Sequence, residues 1–413
     1  MSSSDTRLIQ RDLWLIRAYY FTWMGGLGFI WPFMNLFYVR QGLSGTQVGW
    51  VLGIFALLNL TAAPIWTRMI QQSSKPQRFM QVAMALNAAG YVALAFQHTF
   101  LGIALLGGYR TLVAAGIGPV SDSLAVTISG GTKSGYGSVR LWGSLGWAIL
   151  TVVTGVLIEK FGFTAGFIGC ATTQILSLLI LNAIRPQHFS TPPSSQTNDG
   201  GSLSSKTVIL QNPALIGVAV MLFITGLMNS GVLQFETVYL ADLGAKASLL
   251  GVAGMVSAAV EIPAMLWTDN VIQKRGARWV MLSALVITGM TRLLVLLFPS
   301  IQTIFVERAV GGIAFSFYTV SLVKLICQNT PEYQMRSVLA VFTVTLASFT
   351  NIISTPIAGS MYDLLGGRWL FLFAVIGYAL GWLAIKLFKP RRGKGDLTSN
   401  AAALSDSCTE TAP

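Results

Sequence analysis

The sequence predicts an all-α membrane protein of about twelve transmembrane helices in two pseudo-symmetric six-helix bundles. Three observations carry this. Hydrophobic residues fill 53% of 413 positions and charged residues only 10%, against roughly 25% charged in an ordinary soluble domain. The apolar residues come in blocks of about 20, the length at which a helix crosses ~30 Å of hydrocarbon. A polar stretch near the middle of the chain separates two sets of such blocks. The blocks show no period-2 alternation, which argues against a membrane β-barrel.

Taken in order, a polar N-terminus (1–12) precedes a first helix over 13–38 and a second over 46–69. The first block is too long for a signal-peptide core and ends in no small-residue cleavage site, so it reads as a retained span. Further spans follow near 78–97, 99–128, 139–159 and 163–184, closing an N-terminal bundle at 13–185. Residues 186–212 read as a linker, because 186–207 are rich in Ser, Thr, Pro and Gly and lack helical periodicity. The C-terminal bundle (213–389) holds spans near 213–240, 246–271, 277–298, 300–327, 335–362 and 368–388. The tail from 390 to 413 is polar and expected to be disordered.

The formal charge of +12 does not indicate nucleic acid, since Lys and Arg sit in alternating short loops rather than on a basic stripe. With the N-terminus inside, basic residues favour the cytoplasmic side by about five to one. Both termini and the linker are therefore expected in the cytoplasm, with the protein multi-pass in the cell (inner or plasma) membrane. Cys170, Cys327 and Cys408 are too few and scattered for a disulfide framework. No metal-ligand cluster or P-loop occurs, so neither a metal, another cofactor nor direct ATP drive is expected. A membrane-embedded enzyme would need clustered His, Cys or carboxylates, and the two histidines, His98 and His188, lie in a loop and the linker.

The halves repeat. Tyr38, Gly53 and Trp66 recur as Tyr239, Gly254 and Trp267 at an offset of 201 residues. Gly155-x-x-x-Glu159-x-x-Gly162 recurs as Gly359-x-x-x-Asp363-x-x-Gly366 at an offset of 204. A parallel repeat about an axis normal to the membrane is one of the known transporter plans.

The run Tyr136-Gly137-Ser138-Val139-Arg140-Leu141-Trp142-Gly143-Ser144-Leu145-Gly146 resembles the major facilitator superfamily, in the branch of phenylpropionate permeases and nucleoside–proton symporters. Pro32-Phe33, Gly42-Leu43-Ser44, Pro64-Ile65-Trp66, Pro119-Val120-Ser121-Asp122, Glu261-Ile262-Pro263 and Lys274-Arg275-Gly276-Ala277-Arg278 extend the likeness across all spans. Two departures stand out. The loop after the second span has Thr67 and Gln71 where the superfamily usually has Gly and Asp, and the tenth span has Gly311 and Gly312 where many branch members have His. The resemblance implies a secondary active transporter working by alternating access, with proton symport of a small organic solute as the leading mechanism. Proton-driven efflux and a non-transporting receptor with the transporter fold stay open. No Gly-Pro motif marks the fifth span, which weighs against efflux.

A charge at mid-bilayer costs about 2.5–3.5 kcal/mol on insertion scales, so charges kept there face a cavity or a partner. The resemblance implies that Arg110 and Arg308 line a substrate cavity. Tyr20, Asn35, Asn229 and Gln234 are expected to add stacking and hydrogen bonds; the alternative for each is bundle packing. Asp122, Glu261 and Glu307 are the candidate proton carriers, because coupling needs a carboxylate whose protonation desolvation can tune. The alternative for each is a fixed ion pair. Glu307 and Arg308 are about 100° apart on a helix and cannot face one partner. Arg140, with Trp142 and the small residue Gly143, is expected to form a cytoplasmic gate; the alternative for Arg140 is a positive-inside anchor. The expected partners are a small-molecule substrate, protons and the lipid bilayer, without nucleic acid, and the expected state is a monomer.

Overall fold

Proline, glycine and hydroxyl side chains decide where the apolar blocks become helices. The structure, a computed structural model, describes residues 3–73, 75–129, 135–189, 205–331 and 334–388. The expected disordered tail (390–413) and most of the expected linker (190–204) lie outside the described residues. The first helices are α1 (Ser3–Gly28), α2 (Met34–Arg40), α3 (Gly45–Gln72), α4 (Pro76–Leu94) and α5 (Phe100–Ala114). Next come α6 (Ile117–Ser129), α7 (Gly135–Phe161), α8 (Phe163–Ala183) and the short α9 (Ser205–Gln211). The chain continues through α10 (Pro213–Asp242), α11 (Ala247–Arg275), α12 (Ala277–Leu297) and α13 (Ile301–Gln328). It ends with α14 (Met335–Ala340), α15 (Ala347–Leu365) and α16 (Gly367–Leu387), with a π-helical turn at Val341–Leu346 between α14 and α15.

Among the described residues, ten helical stretches are long and apolar enough to cross a membrane, counting Phe100–Ser129 and Ser337–Leu365 as one each. The stretch α1–α2 and helix α4 are not among the ten, although the sequence pattern counts both as spans. Their lower apolarity has a physical reason. Helix α1 packs on α7 and α8, and α4 on α5 and α8, so much of their surface faces protein. There they carry side chains such as Asp12, Tyr19, Asn87 and Tyr91, all buried.

Two expected spans are broken. The first starts at Ser3 rather than 13, stops at Gly28, and passes through a 3₁₀ turn at Trp31–Phe33 before α2. Pro32 cannot donate a backbone hydrogen bond there. The fourth splits at Ala115–Gly116, because the ring of Pro119 conflicts with a helical carbonyl four residues back, at Ala115. The Trp66 indole N–H donates to the Leu112 carbonyl at 2.6 Å, capturing an acceptor near the break. Elsewhere side chains cap the helix starts. Ser44 and Gln47 form a reciprocal capping box at α3, and Thr99 and Ser300 cap α5 and α13. The repeated glycine motif marks one turn used twice. Gly162 and Gly366 have φ of +77° and +84° and each separates two long helices, a backbone conformation in which a Cβ is strained.

The chain forms two compact units: Met1–Asn198 with Phe235–Ala258, and Asp199–Gln234 with Ala259–Pro413. In the first, Leu13, Ile16, Tyr19, Tyr20 and Trp23 of α1 pack with Met80 and Met84 of α4 and Leu124 of α6. Helices α1 and α7 meet at backbone distance, because a Cβ on Gly146 would lie 2.3 Å from the Phe21 carbonyl oxygen. Segment Phe235–Ala258 joins this unit through α7 and α11. A Cβ on Gly155 would lie 2.5 Å from the Ala247 oxygen, and one on Gly251 2.6 Å from the Thr151 oxygen. In the second unit, Leu215 and Met221 of α10, Val280 and Met281 of α12, Phe317 and Ile326 of α13, and Ile385 of α16 share one core. Gly377 lets α16 approach α10, its Cβ position lying 2.6 Å from that of Met228.

Gly146→Ala forces a methyl group onto a backbone carbonyl that no rotamer change can move. It is expected to cost about 1–3 kcal/mol and lower the melting temperature in detergent by several degrees. Gly137→Ala, whose Cβ meets nothing within 4 Å, should leave it unchanged; equal melting of the two variants would contradict this packing.

Candidate functional site

The break ahead of Pro119 sets the register of α6, and two consecutive α6 residues meet two consecutive tyrosines of α1. The Tyr19 hydroxyl lies 2.8 Å from Ser121 Oγ, and the Tyr20 hydroxyl donates to Asp122 Oδ1 at 2.6 Å. Tyr136, at the start of α7, donates to the same oxygen at 2.9 Å. Arg140 Nη1, one turn further along α7, lies 3.7 Å from it. Trp23 packs behind, stacked on Tyr19 at 5.9 Å and edge-on to Tyr20 at 5.6 Å. Asp122 and Arg140 side chains are 43% and 42% exposed, so their attraction is screened and worth about 0–1 kcal/mol. This arrangement ties α1, α6 and α7 through one carboxylate oxygen, and the Arg140 contact is its weakest part.

Arg110 is placed differently. It is buried in α5, its Nη1 donates to the Tyr91 hydroxyl of α4 at 2.9 Å, and its guanidinium lies 4.7 Å from the centroid of that ring. Its Nε has no hydrogen-bond partner among the described residues. The guanidinium is thus directed onto α4 within the first unit, and a solute would reach it only after Tyr91 or its neighbours moved.

In the second unit Glu307 faces Arg292 of α12. Arg292 Nη1 donates to Glu307 Oε1 at 2.7 Å with both side chains buried, and the Phe371 ring flanks the guanidinium at 5.9 Å. Such a pair is expensive to desolvate and more expensive to break, which gives it the character of a fixed tie between α12 and α13. Arg308 is half-buried and engages a neighbouring group of its own, as do Asn35 and Gln234. Asn229 is buried in α10 with no hydrogen-bond partner for Oδ1 among the described residues. Glu261 is half-buried at the middle of α11, two residues before Pro263, and its backbone carbonyl accepts from Ser316 Oγ of α13 at 3.0 Å.

The expected gate residues divide. Arg140 joins the Asp122 cluster, Trp142 packs edge-on to Trp14 at 5.8 Å, and Gly143 is buried against α1, where a Cβ would lie 2.4 Å from Met24 Sδ. The small face of α7 therefore serves packing inside one unit. Sequence reasoning did not single out Tyr136 as a ligand of Asp122, although it begins the quoted motif. It also missed two ionic groups. Asp12 is buried and takes Arg185 Nε at 2.6 Å and His188 Nε2 at 2.8 Å, tying α1 to the segment after α8. At the other end of α7, Glu159 lies 3.6 Å from Lys246 and accepts from the Ser248 amide at 3.3 Å. Among the described residues no group of three or more His, Cys, Asp or Glu could hold a metal.

A helical membrane protein with broken spans, paired intramembrane charges and no clustered catalytic groups among its described residues has the features of a membrane transporter. The MFS_1 like family matches residues 13–373, and the chain belongs to it, within the major facilitator superfamily. It is 23% identical over 380 residues to the maltose permease of Geobacillus stearothermophilus, covering 90% of this chain and 93% of that protein. It is 22% identical over 382 residues to the probable 3-phenylpropionic acid transporter of Escherichia coli (strain K12), covering 92% and 99%. The solved structure of nucleoside transporter NupG is similar in fold, with a TM-score of 0.76 at 14% identity over 93% of this chain and 100% of that one.

Glu307→Gln removes the carboxylate charge that Arg292 Nη1 meets at 2.7 Å and is expected to destabilise the protein by about 3–5 kcal/mol, read as a fall in denaturation midpoint in detergent. The double variant Arg292→Met/Glu307→Leu should recover most of that loss. Failure of the double variant to exceed Glu307→Gln would argue against a closed pair.

Proposed function

We propose that this transporter carries a small organic solute by alternating access, coupled to proton symport through Asp122. One observation supports the reading above others: a half-exposed carboxylate in a membrane-spanning stretch whose single oxygen Oδ1 gathers Tyr20, Tyr136 and Arg140 from two other helices. Protonation of Asp122 removes the charge that attracts Arg140 and weakens the two phenolic hydrogen bonds, since bonds to an ionised acceptor are about twice as strong as neutral ones. The proton state would thereby set how firmly α1, α6 and α7 hold together. Glu261, half-buried two residues before Pro263 in α11, is a second proton carrier on this reading. Glu307 is assigned a structural role because it is held by Arg292.

Solute contacts are assigned to Tyr20, Asn35, Asn229, Gln234 and Arg308. The buried Asn229 Oδ1, which has no donor among the described residues, supports this, because such a group gains by meeting a ligand hydroxyl or amide. Arg110 joins them only in a conformation that releases Tyr91. Arg140 acts as the gate cation. The basic-residue bias supports termini in the cytoplasm of a cell membrane. The contact of Glu159 in α7 with Lys246, the residue before α11, is then a latch at the opposite end from Arg140.

Purified protein in liposomes with an imposed pH gradient tests the coupling, using a panel of aromatic acids, disaccharides and nucleosides. Wild type is expected to accumulate at least one solute against its gradient. Asp122→Asn should abolish gradient-driven accumulation while retaining exchange of labelled for unlabelled solute. Undiminished accumulation by Asp122→Asn would remove it as the proton carrier, and flux indifferent to the gradient would make the protein a facilitator.

A further inference from the structure

We propose that the groove at the Gly276 turn, where α11, α12 and α13 meet, binds the headgroup and upper acyl chain of an anionic phospholipid. The groove is a cavity of about 280 Å³. Trp267, Asn270, Val271 and Lys274 line it from α11, at i, i+3, i+4 and i+7, so they share one helix face. Arg275 and Trp279 close the turn side, and Phe317 of α13 lies beneath, its ring 5.6 Å from that of Trp267.

The groove is polar at one end and aromatic at the other. Lys274 and Arg275 stand at the end of a membrane-crossing helix, and Trp267 lies about 10 Å deeper by helical rise. The two tryptophans remain 56% and 46% exposed on a helix hairpin whose free surface lipid must cover. Aromatic residues are favoured at the headgroup level for this reason. The cations at the mouth are available. Arg275 packs over the Trp279 ring at 5.3 Å, and neither it nor Lys274 has an ion-pair partner among the described residues. Asp269 lies about 200° around α11 from Trp267, off the groove face. Arg278 is engaged elsewhere, donating to the Ile385 and Lys386 carbonyls at 2.7 and 3.1 Å.

Charge complementarity therefore selects an anion, and the aromatic floor selects an amphiphile over a free ion. Inorganic phosphate would occupy the mouth and leave the exposed Trp267 ring uncovered. Basic pockets between membrane helices are an established way to hold acidic headgroups.

Mass-resolved lipid binding to the detergent-solubilised full chain provides the test, with phosphatidylglycerol and phosphatidylcholine titrated separately. Wild type is expected to retain phosphatidylglycerol preferentially, and Lys274→Gln/Arg275→Gln to weaken it about 25-fold, or about fivefold per charge removed. A Lys75→Gln/Arg78→Gln variant, which removes cations at the start of α4, should leave the preference intact. Three results would each overturn the proposal: equal binding of the two lipids, an undiminished preference in Lys274→Gln/Arg275→Gln, or an equal loss in Lys75→Gln/Arg78→Gln. Displacement of the lipid by an equal concentration of inorganic phosphate would also overturn it, identifying a free-anion site instead.

Discussion

An ionic side chain inside a bilayer has no water to answer it, and the rest of this molecule is arranged around that constraint. Three charged groups meet it in three ways. Arg292 and Glu307 close on each other at 2.7 Å in a fully packed setting. Arg110 turns to the hydroxyl and face of Tyr91. Asp122 gathers two phenols and a more distant guanidinium while staying partly open to solvent. Burial separates their roles. A pair removed from solvent is costly to part, whereas a screened one can exchange partners.

Helix packing brings these groups to their partners. Lipid tails are as apolar as the side chains, so close approach of backbones rather than hydrophobic exclusion holds the helices together. Gly146 against Phe21 brings α7 to α1, and that contact carries Tyr136 and Arg140 toward Tyr20 and Asp122. The split at Ala115–Gly116 lets α5 and α6 present different residues. Arg110 faces Tyr91 from one segment, while Ser121 and Asp122 face the tyrosine pair from the other. The Trp66 hydrogen bond to Leu112 helps make that split tolerable by supplying a donor where the helix lapses.

Most span positions were legible because apolar length is a strong signal. Boundaries agree to within a few residues for α7, α8 and α10 through α13. The start of the first span was not legible, because a helix wrapped by its neighbours need not be apolar and α1 extends into a segment that reads as a polar N-terminus. Pro32 and Pro119 are plain in the sequence, but whether a proline bends a helix or ends it depends on what catches the freed carbonyl. At the site, residue types were legible and partnerships were not. Asp122, Arg140 and Tyr20 were separate candidates that the structure joins. Glu307 and Arg308, neighbours in sequence, have different surroundings. Gly143 read as a gate residue beside Arg140, and in the structure its missing Cβ makes room for Met24 of α1.

By itself, the sequence determined that this chain crosses a membrane many times, repeats its own plan, and keeps a few charges where hydrocarbon would expel them. Those properties depend on composition and spacing along one dimension. Only the tertiary structure decided which charge answers which, because pairing depends on helix rotation and crossing distance. These are set by contacts such as Gly146 on Phe21 that link positions more than a hundred residues apart. A helix turned by one residue, about 100°, would leave Asp122 facing other neighbours with the same sequence pattern.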